Sequence, residues 1–169
     1  YEIGFRGCFL PAEAFGFMPE HDKEEGISIP AYMMGLEMIA QGNGSIALSL
    51  LIDGSVLNSI WNLGDNAQKQ KYVIDALRNK QMAAFALTEP NAGSDAGKLS
   101  TKAYAVGNHY VINGQKIWIT NGGWADYYFV VARTNPDESL GPRGLSVLIV
   151  HKNEIAKKDE IAKYTVPGS

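Results

Sequence analysis

The chain has 169 residues, 46% of them hydrophobic and 20% charged, with a formal net charge of -3. This composition excludes a fibrous or disordered chain and leaves room for one ordinary domain, or two small ones, around a buried core. Lysines and arginines are interleaved with acids throughout, so there is no basic cluster of the kind a nucleic-acid surface needs, and no nucleic-acid partner is expected.

The opening residues, "YEIGFRG", resemble neither a signal peptide nor a transit peptide. Cys8 is the single cysteine, which excludes an internal disulfide framework and a cysteine-rich zinc site, and fits a reducing compartment. There is no initiator Met, and "YTVPGS" stops on turn-forming residues, so both ends read as cut.

Up to about residue 80 the apolar pattern is helical. Ser28 with Pro30 predicts a helix start, because proline fits a first turn whose N–H groups lack partners. Tyr32, Met33, Leu36, Ile39 and Ala40 then recur at helical spacing. A second apolar segment runs from Ile46 to about Leu63. Asp53 and Glu37 interrupt the apolar runs before either reaches the roughly 18 residues of a membrane span, so none is expected. Asp65 is placed to cap a third helix through "NAQKQKYVIDALRNK", with Tyr72, Val73, Ala76 and Leu77 on one side.

From Met82 the texture changes. "MAAFALT", "KLSTKAYAV", "HYVIN", "QKIWIT", "YYFVVAR" and "GLSVLIV" are short, rich in aromatic and β-branched residues, and separated by turn signals. These are Gly107-Asn108, Asn113-Gly114, Asn121-Gly122-Gly123 and "NPDESLGPRG"; an Asn-Gly pair between apolar runs predicts a hairpin. Helices first and antiparallel strands second predict an α+β chain, divided at residues 1–81 and 82–169.

Several familiar patterns fail. "GNGSIA", Gly42 to Ala47, has the loose form of a dinucleotide fingerprint, but the residues before it are helical where the mechanism needs a strand. It predicts a break between two helices. His21, His109 and His151 form no metal-ligand spacing, and no metal is expected.

Two stretches carry chemistry. In "FALTEPNAGSDAG", residues 85–97, Gly93 and Gly97 permit close backbone approach, while Thr88 and Ser94 offer hydroxyls. In "INGQKIWITNGGWAD", residues 112–126, a strand would put Trp118 and Thr120 on one face, an indole beside a hydroxyl. That pairing would make a floor for a flat polar aromatic ligand. Taken alone, the first stretch reads better as an ordinary strand-to-strand connection and the second as a hairpin with a core tryptophan.

Together, "FALTEPNAGSDAG", "YVINGQKIWITNGG", "GLSVLIV" and "LGDNAQKQKY" closely resemble the acyl-CoA dehydrogenase family of flavoproteins, with tolerable resemblance from about Pro19 to Val150. The resemblance implies an N-terminal helical domain, then an antiparallel β-barrel-like domain, with the family's C-terminal four-helix domain absent from this chain. It implies FAD as cofactor, and the oxidation of an acyl-CoA thioester to the trans-2-enoyl-CoA in fatty-acid β-oxidation. A glutamate would remove the α-proton while a hydride leaves to flavin N5.

Carried over residue by residue, Phe85, Leu87, Thr88 and Ser94 match one flavin segment, and Trp118, Ile119 and Thr120 match the other. Backbone groups around Leu87 and Thr88, with the Thr88 hydroxyl, would reach the ring's polar edge, Trp118 would pack on the ring, and Thr120 would lie near N5. Ser94 would sit where the cofactor diphosphate meets the substrate's pantetheine arm. No catalytic residue is expected in this chain, since the family's base comes from the absent domain, and the chain alone is expected to be inactive. Asp95, flanked by Gly93 and Gly97, is expected to cap backbone N–H groups in its turn.

An electron-transferring flavoprotein as acceptor, a homo-dimer or homo-tetramer, and a bacterial cytoplasmic or mitochondrial matrix location are implied as well. The chain departs from the family pattern at "MPEHDKEEG", where a "PEEYGG"-like turn is usual, and "KKDEIAKYTVPGS" resembles its charged linker only loosely. An acyl-CoA oxidase, another flavoprotein of the same fold and a truncated non-catalytic chain are the alternatives.

Overall fold

A computed structural model describes Phe5, Arg6, Leu10, residues 28–154 and the backbone of residues 163–165. Cys8, His21 and the "MPEHDKEEG" turn lie outside the described residues. The chain divides into two compact units, Tyr1–Ala83 and Ala84–Ser169.

The first unit is helical. Helix α1 (Ile29–Gly42) starts where proline and serine predict it, with the Ser28 hydroxyl accepting the Ala31 N–H at 3.4 Å. Helix α2 (Gly44–Leu63) follows after one residue. Asn43 serves both ends. Its N–H donates to the Ile39 carbonyl, and its side-chain oxygen accepts the Ser45 and Ile46 N–H groups at 3.0 and 3.2 Å. The "GNGSIA" stretch is therefore a helix break with no strand before it. Tyr32 and Leu36 pack with Ala47, joined by half-buried Ile39, whereas Met33 of the predicted stripe faces solvent.

By length and composition, α2 is long and apolar enough to cross a membrane, despite the charge at its middle. That charge decides the reading. Asp53 is fully buried and held by the Arg6 guanidinium through two bonds of 2.7 and 2.9 Å. Asp53 also accepts the Ala83 N–H at 2.8 Å, and Arg6 donates to the Gln81 carbonyl. A carboxylate so satisfied belongs to the core helix of a folded unit.

The third helix opens with a capping box. Asp65 accepts the Gln68 N–H at 2.7 Å and Gln68 accepts the Asp65 N–H at 3.0 Å. It runs as α3 (Asn66–Lys69), a π-helical turn over Gln70–Ile74 and α4 (Asp75–Arg78). The Gln70 amide reaches the Asp75 carboxylate at 2.9 Å across the widened turn. Tyr72, Val73, Ile74 and Ala76 are buried.

The second unit is built on a six-stranded sheet: β1 (Ala83–Ala86), β2 (Lys102–Val106), β3 (His109–Asn113), β4 (Tyr127–Arg133), β5 (Leu145–His151) and β6 (Lys163–Thr165). The strands run β1-β4-β2-β3-β6, with β5 paired to β4. The β2–β3, β3–β6 and β4–β5 pairs are antiparallel, but β2 and β4 meet in parallel through Lys102 and Arg133, so the expected all-antiparallel pairing is corrected there. Gly107-Asn108 makes the two-residue β2–β3 hairpin turn, with Gly107 at φ +61.

The sheet is packed on both sides of β4. Val130 and Ala132 join Ala103, Leu148 and Val150, while Val131 faces Ala92, Leu99, Phe85 and Leu87.

Two further expectations are corrected. "QKIWIT" is not a strand, because residues 114–126 form irregular chain and turns between β3 and β4. Asn113-Gly114 is not a hairpin turn. A side chain at Gly114 would meet Thr101 within 2.6 Å, so this glycine allows the chain to cross closely over Thr101.

Candidate functional site

The two chemically suggestive stretches meet. The first leaves β1 at Ala86, passes through Leu87 and Thr88, and closes on itself where Glu89 and Ala92 exchange N–H and carbonyl bonds. The second leaves β3 and reaches Ile117, whose N–H donates to the Thr88 carbonyl at 2.9 Å. One position earlier, the Lys116 ammonium donates to the Leu87 carbonyl at 2.9 Å and the Glu89 carboxylate at 2.8 Å.

Glu89 is the hub of this junction. Its side chain is 1% exposed, and it accepts the Ser100 N–H, the Ser100 hydroxyl and the Thr101 N–H at 2.7, 2.6 and 3.0 Å. Desolvation alone would raise its carboxyl. The bonds from Lys116, Ser100 and Thr101 outweigh that and hold it down at about 2. Burial pushes the Lys116 ammonium below its usual value, against the opposing pull of Glu89.

Beyond Ile117 the chain turns sharply. Trp118 has φ 57 and Asn121 φ 65, and Asn121 is buried with its carbonyl accepting the Trp124 and Ala125 N–H groups. These left-handed residues replace the expected strand, so the shared face of Trp118 and Thr120 does not follow from strand alternation. Trp118 is 87% exposed and is neither a core residue nor part of a hairpin. Ile119 and Thr120 are half-buried, and the Ile119 carbonyl accepts the Gly122 N–H.

The remaining sequence-predicted residues divide. Phe85 is half-buried against Phe129, ring centroids 6.0 Å apart, and shares a core cluster with Leu87. Ser94 is exposed, and no hydrogen bond joins it to the second stretch among the described residues. Its loop is held from below by Arg133, which is 4% exposed and donates to the Gly97 and Gly141 carbonyls at 2.8 and 3.2 Å.

Asp95 corrects an expectation. It makes no side-chain cap for the following short helix and instead meets the exposed Lys98 ammonium at 3.0 Å. Among the described residues no group of three or more histidine, cysteine, aspartate or glutamate side chains is placed to hold a metal ion. Sequence reasoning missed Lys116 and Arg133. The only signal for Lys116 was a charge inside an apolar run.

The two units define a class: a helical region followed by a sheet whose first strand end is tied to the loop after its hairpin. Residues 84–161 match the family description "Acyl-CoA dehydrogenase, middle domain". An acyl-CoA dehydrogenase of Bacillus subtilis is 39% identical over 137 residues, which cover 80% of this chain and 36% of that protein.

Among solved structures, butyryl-CoA dehydrogenase of Megasphaera elsdenii aligns with a TM-score of 0.78 at 30% identity, over 96% of this chain and 44% of the other. A chain from the structure of the electron transferring flavoprotein of Acidaminococcus fermentans aligns at 0.79 and 31%, over 97% and 44%. The chain belongs to the acyl-CoA dehydrogenase family. It spans about a third of the length of the curated relatives it matches.

Proposed function

We propose that this chain supplies one wall of the flavin site of a FAD-dependent acyl-CoA dehydrogenase, which oxidises an acyl-CoA thioester to the trans-2-enoyl-CoA. The observation that carries the reading is the junction of Leu87-Thr88 with Lys116-Ile117, inside residues that match the family's middle domain. On this reading the two units are the family's helical and β-barrel-like domains, assigned to residues 1–81 and 82–169.

The donor set fits an isoalloxazine ring. The N–H and hydroxyl of Thr88 are engaged by no described residue, Trp118 presents an open indole, and a side chain at Gly93 or Gly123 would meet nothing within 4 Å. Neutral donors at the polar edge suit a ring that gains negative charge on reduction. When bound, FAD supplies the hydride acceptor.

Around that cofactor the chain's residues bind and orient. Phe85 and Leu87 hold the first strand end against the sheet core, and Thr88 donates to the ring edge. Trp118 stacks, Ile119 and Thr120 border the ring, and Ser94 faces the diphosphate and pantetheine region.

The proton-abstracting carboxylate is neither of the two in this loop. Glu89, at about 2, is too weak a base and already accepts four hydrogen bonds. Asp95 is paired with Lys98 at the surface. The base comes from elsewhere in the complete protein. An electron-transferring flavoprotein takes the electrons, the protein assembles as a homo-oligomer, and it works in a bacterial cytoplasm or the mitochondrial matrix.

The test is anaerobic addition of acyl-CoA to the complete flavoprotein. Bleaching of the flavin, with reoxidation by an electron-transferring flavoprotein and slow reoxidation by oxygen, supports the dehydrogenase. Fast reoxidation by oxygen makes it an oxidase. No bleaching with any acyl-CoA rejects both.

A further inference from the structure

We propose that Glu89 and Lys116 are positioning residues for the cofactor: an ionic clasp that sets the spacing of the two flavin-contact stretches and aims the Thr88 N–H at the ring. The proposal rests on the reading of this junction as a flavin wall. Its starting point is how the bonds are distributed. Glu89 closes its own loop through Ser100 and Thr101, and those bonds need no cation. Lys116 adds a link 27 positions along the chain, and its second bond goes to the Leu87 carbonyl.

With Ile117 donating to the Thr88 carbonyl, both peptide groups flanking Thr88 are tied to the second stretch. No peptide bond here is cis, and in a trans peptide the C=O and N–H point in opposite directions. Holding the Leu87 carbonyl toward Lys116 therefore turns the Thr88 N–H the other way, where no described residue meets it. A pair of charges so deeply buried gains little stability over an apolar pair of the same size. What it adds here is a fixed direction for one donor.

The experiment measures FAD affinity and thermal stability in the complete protein, reconstituted from apoprotein, for four forms. Wild type binds FAD. Lys116→Met alone strands the Glu89 charge, so both stability and affinity fall. Glu89→Gln with Lys116→Met removes both charges and restores stability, but leaves the Leu87 carbonyl without its donor. Its FAD dissociation constant stays at least about tenfold above wild type, with a shifted flavin absorption band.

Ser100→Ala is an exposed change that folds normally and loosens Glu89 by one bond. It takes a 2.6 Å hydroxyl bond from the buried Glu89 carboxylate, so Tm falls and FAD binding weakens about threefold. If the double variant or Ser100→Ala binds FAD as wild type does, the clasp is structural only and the proposal fails, while the flavin site stands. If the wild type binds no FAD, the site reading fails and takes the proposal with it.

Discussion

Among the described residues, each unit buries a carboxylate against a cation, and the two pairs differ in where their spare hydrogen bonds go. In the helical unit, Arg6 and Asp53 direct theirs to the Gln81 carbonyl and the Ala83 N–H, backbone at the end of the same unit. In the sheet unit, Lys116 directs its spare bond to Leu87, beside a residue whose own donors no described residue engages. Chemically alike pairs thus serve different ends. The first closes a fold around a helix too apolar to tolerate a bare aspartate. The second sits between two loops that carry the candidate cofactor contacts.

That contrast can be broken most forcefully in the helical unit. Asp53→Ala removes the carboxylate that the buried Arg6 guanidinium grips and destabilises that unit by about 3–5 kcal/mol, measured by urea unfolding. A loss below about 1 kcal/mol would mean the pair is not the keystone described.

Acid titration separates the sheet-unit pair. Glu89 is held at about 2 against an ordinary 4.5, so its contribution is present above 4.5 and is lost as pH falls toward 2. On the order of 3 kcal/mol of stability should disappear across that window in wild type. Most of that pH dependence should be missing in Glu89→Gln; an unchanged acid profile there would assign the loss to other groups.

Trp118→Ala sharpens the comparison from the ligand side. The side chain is 87% exposed, so stability moves by less than about 0.5 kcal/mol. Removal of the stacking surface raises the FAD dissociation constant about 2- to 10-fold. A fall in Tm with unchanged affinity would place the indole in the fold instead. Smallest of all is Asp95→Asn, which loses an exposed ion pair worth less than about 0.5 kcal/mol and leaves FAD affinity within twofold.

The readable parts of the sequence were those governed by local chemistry. Ser28 with Pro30 and Asp65 are caps whose bonds lie within three residues, each where its side chain predicts, and the expected break between helices falls at Asn43. "YYFVVAR" became β4 residue for residue, because alternation and burial act along a single strand. Long-range partners broke the pattern elsewhere. "QKIWIT" has strand composition, but Lys116 is drawn to Glu89 and the chain then takes left-handed turns at Trp118 and Asn121.

Asp53 read as an interruption because its partner, Arg6, lies 47 positions away. The parallel contact of β2 with β4 is equally non-local. The candidate site was half legible. "FALTEPNAGSDAG" pointed to a ligand only together with the second stretch, through the family resemblance, and the clasp that joins the two depends on a contact that no spacing rule encodes.

The central question is whether this junction meets a flavin. The direct measurement is to purify the complete protein, denature it and quantify the flavin released per chain. Release of close to one FAD per chain, from a yellow protein, is the predicted result. A colourless protein that releases no flavin and takes up none on reconstitution would contradict it.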